Sequence, residues 1–571
     1  MKIIIIGGVA GGASAAARLR RLDETAEITM YERSGYISYA NCGLPYYLGE
    51  VITDREELTL QTPDSFHARF RVNVKVRHQV TAIHPDAKTV TVQNLDTGES
   101  FTDTYDKLLL SPGAKAVRPP LPGIDSDGIF TLRTVEDALA IYDRAKAAGA
   151  GSALVLGGGF VGLEAAENLS HLGLSVTLAE AAPQVLSILD ADMAAQVHSL
   201  FRKNGISLYL NTRAEGFEKA DGKILCTLSN GQKITADLVL LAMGVTPDSH
   251  LAQDAGLQTG QKGSIAVNDK METSVPDIYA VGDAVEITHF VTGKKTLIPL
   301  AGPANKQGRI AADNMTGKDS RYTGTQGSSV IKLFNRTAAA TGINERQAQA
   351  AGIPYDKVIL SPASHAGYYP GGMVMTMKVL FEKETFRLLG AQIIGFDGVD
   401  KRIDVLATAI RAGMKGYELP QLELAYAPPY SSAKDPVNMA GFMMENLRDG
   451  LVRQFGIDEI ATLPQDGSVF LLDSRTPGEY AAGHAPGFIN IPVDSLRERM
   501  TEIPKHIPVY IMCQSGLRSY LACRILTQNG YSCYNFTGGY RYYAMAAEEL
   551  LPQIASYSCG MDKKCDKVTE G

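Results

Sequence analysis

The chain has 571 residues, long enough for three or four domains with cores of their own. Its 55 Lys and Arg against 62 Asp and Glu leave a formal charge of −7, a mildly acidic balance that argues against a nucleic-acid partner. Seven cysteines, Cys42, Cys226, Cys513, Cys523, Cys533, Cys559 and Cys565, follow no framework spacing, so reactive or packed thiols in a reducing compartment are expected rather than a disulfide-stapled fold.

The apolar start is interrupted by Gly7, Gly8, Gly11 and Gly12 and lacks a basic segment with a cleavage site, so it reads as a strand and turn rather than a signal peptide. No run is long enough to span a bilayer, and a cytoplasmic protein with no membrane partner is expected. Lys2 to Ile6 reads as a strand buried on both faces of a parallel sheet. Gly7-Gly8-Val9-Ala10-Gly11-Gly12 follows, then a helix over Ala13 to Leu22 and a strand over Ile28 to Tyr31, closed by Glu32. In such a βαβ unit the glycines let backbone approach a pyrophosphate at the helix N-terminus, and Glu32 can accept from a ribose 2′-OH. Val9 stands in the second glycine slot.

Next comes Ser38-Tyr39-Ala40-Asn41-Cys42-Gly43-Leu44-Pro45-Tyr46, with one cysteine and no second nearby. A dithiol oxidoreductase needs a neighbouring thiol to release what the first has captured. With one thiol, the resolving sulfur comes from the substrate, or the cysteine cycles through an oxidised form. A buried structural thiol is the plainer reading of a free cysteine. The nucleotide pattern then repeats. Ser152 to Leu156 is a strand, Gly157-Gly158-Gly159-Phe160-Val161-Gly162 a full G-x-G-x-x-G, Leu163 to Leu172 a helix, and Ser175 to Ala179 a strand ending in Glu180. Two such units imply two dinucleotides. Glu180 favours a free ribose and repels a 2′-phosphate, and Ala181 and Ala182 offer no arginine, so NADH is expected over NADPH.

Asp277-Ile278-Tyr279-Ala280-Val281-Gly282-Asp283-Ala284 resembles the second flavin motif of the pyridine nucleotide–disulfide reductase family. Leu110-Ser111-Pro112-Gly113-Ala114 and Leu241 to Pro247 resemble that family's crossings out of and back into the FAD domain. The resemblance covers about the first 445 residues. It implies an FAD domain at 1–114 and 246–320 and an inserted NAD domain at 115–245. It also implies a dimerisation domain at 321–445 that completes the partner's active site in a homodimer. Lys332 to Ala340, Val374 to Phe381 and Arg387 to Gly395 read as its strands; Asp400 to Ala412 and Gly441 to Asp449 read as helices. The implied FAD contacts are Gly7, Gly12, Glu32, Arg33, Ser111, Gly113, Asp283 and Ala301. The implied NADH contacts are Gly157, Gly159, Val161, Gly162, Glu180 and Gly244.

Within that family, Ser38-x-x-Asn41-Cys42-Gly43-x-Pro45-Tyr46 resembles the coenzyme A disulfide reductases, and NADH oxidases and peroxidases share the single cysteine. The resemblance implies coenzyme A contacts at Arg18, Arg21, Ser38, Asn41, Asn305 and Lys306. Arg18 and Arg21 share a helix face, for which a solvated surface is the plainer reading. It also implies one tyrosine from each of two loops at the partner's cysteine: Tyr368 and Tyr426, with Tyr369 and Tyr430 as alternates.

Residues 446–464 read as a linker with a helical start, before a fresh α/β pattern over 465–555. Val469 to Asp473 and Pro508 to Met512 are its strands, and a helix follows the second as far as Asn529. Asp473-Ser474-Arg475, His484-Ala485-Pro486-Gly487-Phe488-Ile489-Asn490-Ile491-Pro492 and Cys513-Gln514-Ser515-Gly516-Leu517-Arg518, in that order, resemble a rhodanese domain. A cysteine at a strand-to-helix turn sits among inward N–H groups that lower a thiol pKa and hold an anion, with Arg518 in the loop. The resemblance implies that Cys513 carries a persulfide. Cys226, Cys523 and Cys533 read as packing, Asp190 and Asp192 as solvated surface, and 556–571, with Cys559 and Cys565, as a mobile tail. No metal site is expected.

The fold class expected is α/β: two Rossmann-like domains, an α+β dimerisation domain and a rhodanese-like domain. The function implied is that of a coenzyme A disulfide reductase–rhodanese fusion, an NADH-dependent flavoprotein acting on coenzyme A persulfide, polysulfide and related sulfane sulfur. Coenzyme A disulfide reduction proper, an NADH oxidase or peroxidase using a cysteine sulfenic acid, and a redox-sensing binding module are the alternatives.

Overall fold

The computed structural model describes residues 1–551 apart from 148, so Cys559, Cys565 and the expected tail lie outside the described residues. The described chain forms two compact units, Met1–Leu186 with Phe201–Gly327, and Ser187–Leu200 with the residues from Ser328 on.

In the first unit β1 (Lys2–Ile6) is central to a five-stranded parallel sheet. Its spatial order is Ile278–Ala280, Lys107–Leu110, β1, β2 (Glu27–Glu32), Asn73–Val76. Ile3, Ile4 and Ile5 are fully buried, as a strand covered on both faces requires. The helix after β1, α1 (Ala10–Leu22), starts three residues before the expected Ala13, so Gly11 and Gly12 lie in its first turn. A Cβ on Gly12 would stand 1.9 Å from the Gly7 carbonyl oxygen, so only glycine lets helix and strand close to this spacing. A short turn at Asn41–Gly43 leads into α2 (Leu44–Leu48).

The inserted domain repeats the design. Its parallel sheet runs Ile129–Phe130, Leu238–Leu241, β3 (Ser152–Leu156), β4 (Ser175–Ala179), Ser207–Tyr209. The intervening helix α3 (Phe160–His171) again starts early, and a Cβ on Gly162 would lie 1.9 Å from the Gly157 carbonyl. The helix α4 (Ala191–Lys203) is divided between the two units after residue 200. Returning to the first domain, α5 (Ala301–Met315) packs on α1, where Gly308 leaves room for the Gly11 carbonyl.

The second unit opens with a five-stranded antiparallel sheet. Its order is β5 (Ser329–Leu333), β6 (Arg336–Gly342), Leu388–Gly395, Thr376–Glu382, Tyr355–Leu360. The single strand expected over Lys332 to Ala340 is instead a hairpin. Leu333 pairs with Arg336, and Phe334 turns the chain with φ +52°. The turn holds no glycine, so nothing in the pattern marked the reversal. Two helices, α6 (Val399–Arg411) and α7 (Pro436–Arg448), follow. The second begins before the expected Gly441, because Asp435 caps it through the Val437 N–H and Pro436 fits its first position.

Part of the stretch read as a linker joins the last sheet, through Gln454–Phe455. There β7 (Gln454–Phe455), β8 (Phe470–Asp473), β9 (Val509–Met512) and β10 (Cys533–Phe536) lie parallel in the order β7, β10, β9, β8, with Ile489–Asn490 outermost. Phe455, Ile457, Ile460 and Leu463 enter its core, and a two-residue strand is too short to show a period. The helices of this layer used below are α8 (Pro477–Ala481), α9 (Leu517–Gln528) and α10 (Gly539–Leu550). Cys226, Cys523 and Cys533 are buried, as packing thiols should be.

Asp190 and Asp192 are not on a solvated surface. Both are buried, and with Glu345 they surround the ammonium of Lys378, itself 0% exposed, at 2.9 Å from Asp190 and 2.8 Å from Asp192. The Tyr542 hydroxyl of α10 donates to Asp192. The three carboxylates could hold a metal by their spacing, but the Lys378 ammonium takes that place. Among the described residues no helix is long and apolar enough to cross a membrane.

Candidate active sites

Both glycine turns end against an acid. Glu32 accepts from the N–H of Gly8 and of Ser34, each at 2.8 Å, and Glu180 accepts from Gly158 at 2.6 Å and Ala182 at 2.7 Å. Each carboxylate is thereby fixed at the strand end where a ribose would arrive. Burial pushes the Glu32 carboxyl up, against its two N–H bonds. At the first turn a Cβ on Gly11 would meet Ser111 Oγ and Val281 Cγ2 at 2.8 Å, a cradle that admits backbone only. Gly7 and Gly113 have positive φ, and Ser111 bonds through its N–H to the Ile6 carbonyl. The second turn has Gly159 in the slot that Val9 fills in the first. Val161 lies in the first turn of α3, and Gly244 has φ +93°. Ala301 is the exposed first residue of α5, and Arg33 bonds Asp248 at 3.0 Å. These residues fit two dinucleotides, FAD at the first turn and a nicotinamide nucleotide at the second.

Ile37 is laid directly on the first glycine turn, where a Cβ on Gly8 would meet its Cγ2 at 2.7 Å, and the Ser38 N–H bonds the Gly8 carbonyl. Ser38 takes φ +44°, and the chain then turns through Asn41, Cys42 and Gly43 into α2. Cys42 is exposed, whereas the other described cysteines are buried. Its mouth is open, yet the walls around it desolvate the thiol. That burial, then the charges of Glu164 and Asp283, push its pKa up, while Arg133 pulls the other way. Arg133 pairs with Asp283 at 3.2 Å, so the cysteine and the aspartate of the flavin motif share one electrostatic neighbourhood. Glu164 of α3 accepts from the Tyr46 hydroxyl at 3.0 Å, and burial holds its carboxyl up at about 7. Nothing in the spacing set Glu164 apart, because Glu167 and Asn168 lie three and four residues on along the same helix face.

Of the expected coenzyme A contacts, Arg18 is engaged by Asp313 at 2.7 Å, while Arg21 on the same helix is exposed. Between them Arg20 is buried and spends its guanidinium on backbone carbonyls. Asn305 accepts from Ser14 and donates to the Ala301 carbonyl, and Lys306 is exposed. In the second unit the two tyrosine loops meet, with the hydroxyls of Tyr368 and Tyr426 2.6 Å apart. Tyr369 packs edge-on against His365, and Tyr430 is exposed. One buried guanidinium ties the loops together. Arg402 of α6 donates to the carbonyls of Ser364 and Tyr430 and pairs with Asp435 at 3.0 Å. Sequence reading missed it, because an arginine on an amphipathic helix looks solvated. Beside the pair lies a cavity of about 710 Å³ lined by Ser364, His365, Lys401, Arg402, Tyr426 and Tyr430.

Cys513 directly follows β9 and is fully buried. Its Sγ receives the Gly516 N–H at 3.1 Å and the Ser519 hydroxyl at 3.2 Å, and Gly516 turns the loop with φ +94°. Arg518, expected in the anion cradle, instead forms two 2.7 Å bonds to Glu479. Glu479 was legible as the last residue of a Thr-x-x-Glu capping box, but its hold on Arg518 was not.

The family model described as pyridine nucleotide-disulphide oxidoreductase matches residues 1–308. That of its dimerisation domain matches 329–436, and a rhodanese-like domain matches 457–546, starting inside the stretch expected as a linker. The coenzyme A disulfide reductase of Staphylococcus haemolyticus (strain JCSC1435) is 38% identical over 447 residues, 78% of this chain and 100% of its own. Among solved structures, reduced CoADR-RHD of Bacillus anthracis is similar with TM-score 0.94 and 46% identity, over 96% of this chain and 98% of that one. A NAD-dependent persulfide reductase from A. fulgidus is similar with TM-score 0.89 and 38% identity, over 95% and 100%.

Proposed function

The chain belongs to the pyridine nucleotide-disulphide oxidoreductase family, and on that premise we propose that it reduces coenzyme A persulfide, and coenzyme A disulfide, through Cys42. One observation carries this reading. Cys42 is the exposed thiol beside Asp283, and the other described cysteines are buried, so the second sulfur belongs to the substrate. Bound FAD would supply a carrier that takes a hydride from NADH and delivers two electrons to sulfur. The remaining work falls to side chains. The Cys42 thiolate attacks the sulfur–sulfur bond, and one sulfur leaves with the bonding pair. Two electrons and two protons, drawn overall from NADH and solvent, then restore Cys42, with coenzyme A thiol and sulfide as the products from the persulfide and two coenzyme A thiols from the disulfide.

Tyr368 of the partner subunit and Tyr426 of the partner subunit would orient the sulfur or protonate the leaving group in a homodimer; their mutual hydrogen bond suits paired donors. The fixed Glu180 supports NADH over NADPH. Cys513, in its N–H and hydroxyl cradle, would carry sulfane sulfur from persulfide or polysulfide to coenzyme A, and fusion raises the local concentration of that intermediate. The free thiols suit a cytoplasmic setting.

Steady-state NADH oxidation tests the reading. Coenzyme A persulfide should show a higher kcat/KM than the disulfide, and Cys42→Ser should lose about 1,000-fold or more on both, as for loss of a nucleophile. A higher kcat/KM for the disulfide reverses the order of substrates. Oxygen consumption at similar rates without added sulfur, lost in Cys42→Ser, replaces this function with an oxidase.

A further inference from the structure

Glu479 stands on α8 and does two jobs at once. Its carboxylate caps Thr476, and it grips both terminal nitrogens of Arg518 at 2.7 Å in a planar fork. The grip holds the Glu479 carboxyl down at about 2. Arg518 is the guanidinium of the Cys513 loop, so the positive charge that would meet an anionic donor is already matched. Arg475, bonded to the loop through Gln514 at 3.3 Å, is paired with Asp473 and lies over the Tyr540 ring. The buried sulfur receives one N–H and one hydroxyl, enough for a single sulfur anion. Leu517, 59% exposed, and Leu521, one turn further along α9, leave the surface beside the loop apolar.

Sulfane-sulfur donors differ in the charge they shed. When the Cys513 thiolate attacks the outer sulfur of thiosulfate, the S–S bond breaks and both its electrons depart with sulfite, a dianion. The products are the Cys513 persulfide anion and sulfite, so the charge of the reactants is conserved. When it attacks the outer sulfur of a thiol persulfide anion, the products are the Cys513 persulfide anion and a thiolate with one charge. Only the first reaction needs an unpaired cation at the mouth. Resting on the reading that Cys513 carries sulfane sulfur, we infer that Glu479, by clamping Arg518, sets the donor class of this loop: thiol persulfides are taken and thiosulfate is refused.

The test mixes the full-length protein with thiosulfate or with 2-mercaptoethanol persulfide, whose thiolate carries one charge, and follows the gain of one sulfur atom on Cys513 by mass spectrometry. In the wild type the persulfide should load about 100-fold faster, and Glu479→Gln should narrow that ratio about tenfold by raising the thiosulfate rate. The double variant Glu479→Gln, Arg518→Gln should restore the wide ratio, because the freed guanidinium is then gone. A general loosening of the loop would not be reversed in this way. Wild-type loading by thiosulfate within about threefold of the persulfide overturns the inference even if the variants do not fold. So does an unmoved ratio in a folded Glu479→Gln. Failure of both donors to load Cys513 defeats the underlying reading instead.

Discussion

Cys42 sits where its own fold disfavours the thiolate, through burial first and the charge of Glu164 next. Replacing Glu164 by Gln removes that charge and keeps the acceptor for Tyr46. Alkylation of Cys42 by iodoacetamide should then speed up by ~5-fold at pH 8, the effect of ~1 kcal/mol between neighbouring charges. Because the Glu164 carboxyl titrates at about 7, the wild type and variant should converge below that pH, where Glu164 is neutral. Identical profiles at all pH values would remove Glu164 from the thiol's surroundings. The same shift has a sign for stability. A carboxyl raised from 4.5 to about 7 binds its proton more tightly folded than unfolded. Its contribution is full below pH 4.5 and is lost as pH rises through about 7. Melting temperature should therefore fall less steeply over that window in Glu164→Gln than in the wild type. The cysteine, its motif and Asp283 were legible in the sequence. The environment of Glu164 was not, since burial and a hydroxyl from another helix leave no trace in the spacing of its own.

At the scale of elements, strand cores with uniform apolar runs were read to the residue. β1, β3 and β4 have the expected bounds, because a strand covered on both faces has one composition throughout. Reading failed where a reversal or a strand was shorter than a period, as in the β5–β6 hairpin and β7. The two tyrosine loops were found from their sequences, but what holds them is an arginine on a different helix. Arg402 is 1% exposed, and Asp435 both pairs with it and caps α7. Asp435→Ala leaves a buried guanidinium uncompensated and should cost about 3–5 kcal/mol in denaturant unfolding. Arg402→Lys keeps the charge but loses the guanidinium whose one terminal nitrogen donates to both carbonyls. Reductase kcat should drop while KM for NADH holds, because the nucleotide turn is built wholly from residues of the first unit. An equal fall in affinity for NADH would assign Arg402 a general structural role instead.

The chain passes between its two units three times, and the short excursion at Ser187–Leu200 delivers Asp190 and Asp192 to a core that otherwise begins at Ser328. Glu345 and Lys378 come from a helix and a strand of that core, and Tyr542 from the last helix. Five residues so far apart in sequence cannot announce a cluster, which is why two of them looked like surface. The cluster is stable only as a set. Its ammonium is pushed up in pKa by three carboxylates despite complete burial, and Asp192 and Glu345 are pulled down by Lys378 and by Lys357, which pairs with Glu345 at 2.8 Å. Lys378→Met fills similar space and leaves the carboxylates facing one another. We expect the second unit to lose about 3–5 kcal/mol, as for a buried pair broken on one side. Calorimetry should show its transition moving down. Unpaired carboxylates take up protons more readily, so the deficit should shrink as pH falls toward 5. Adding Asp190→Asn and Asp192→Asn should recover part of it at pH 8, because the charges left without a partner are then removed. A Lys378→Met protein that melts like the wild type at pH 8 would mean that the ammonium only fills space there.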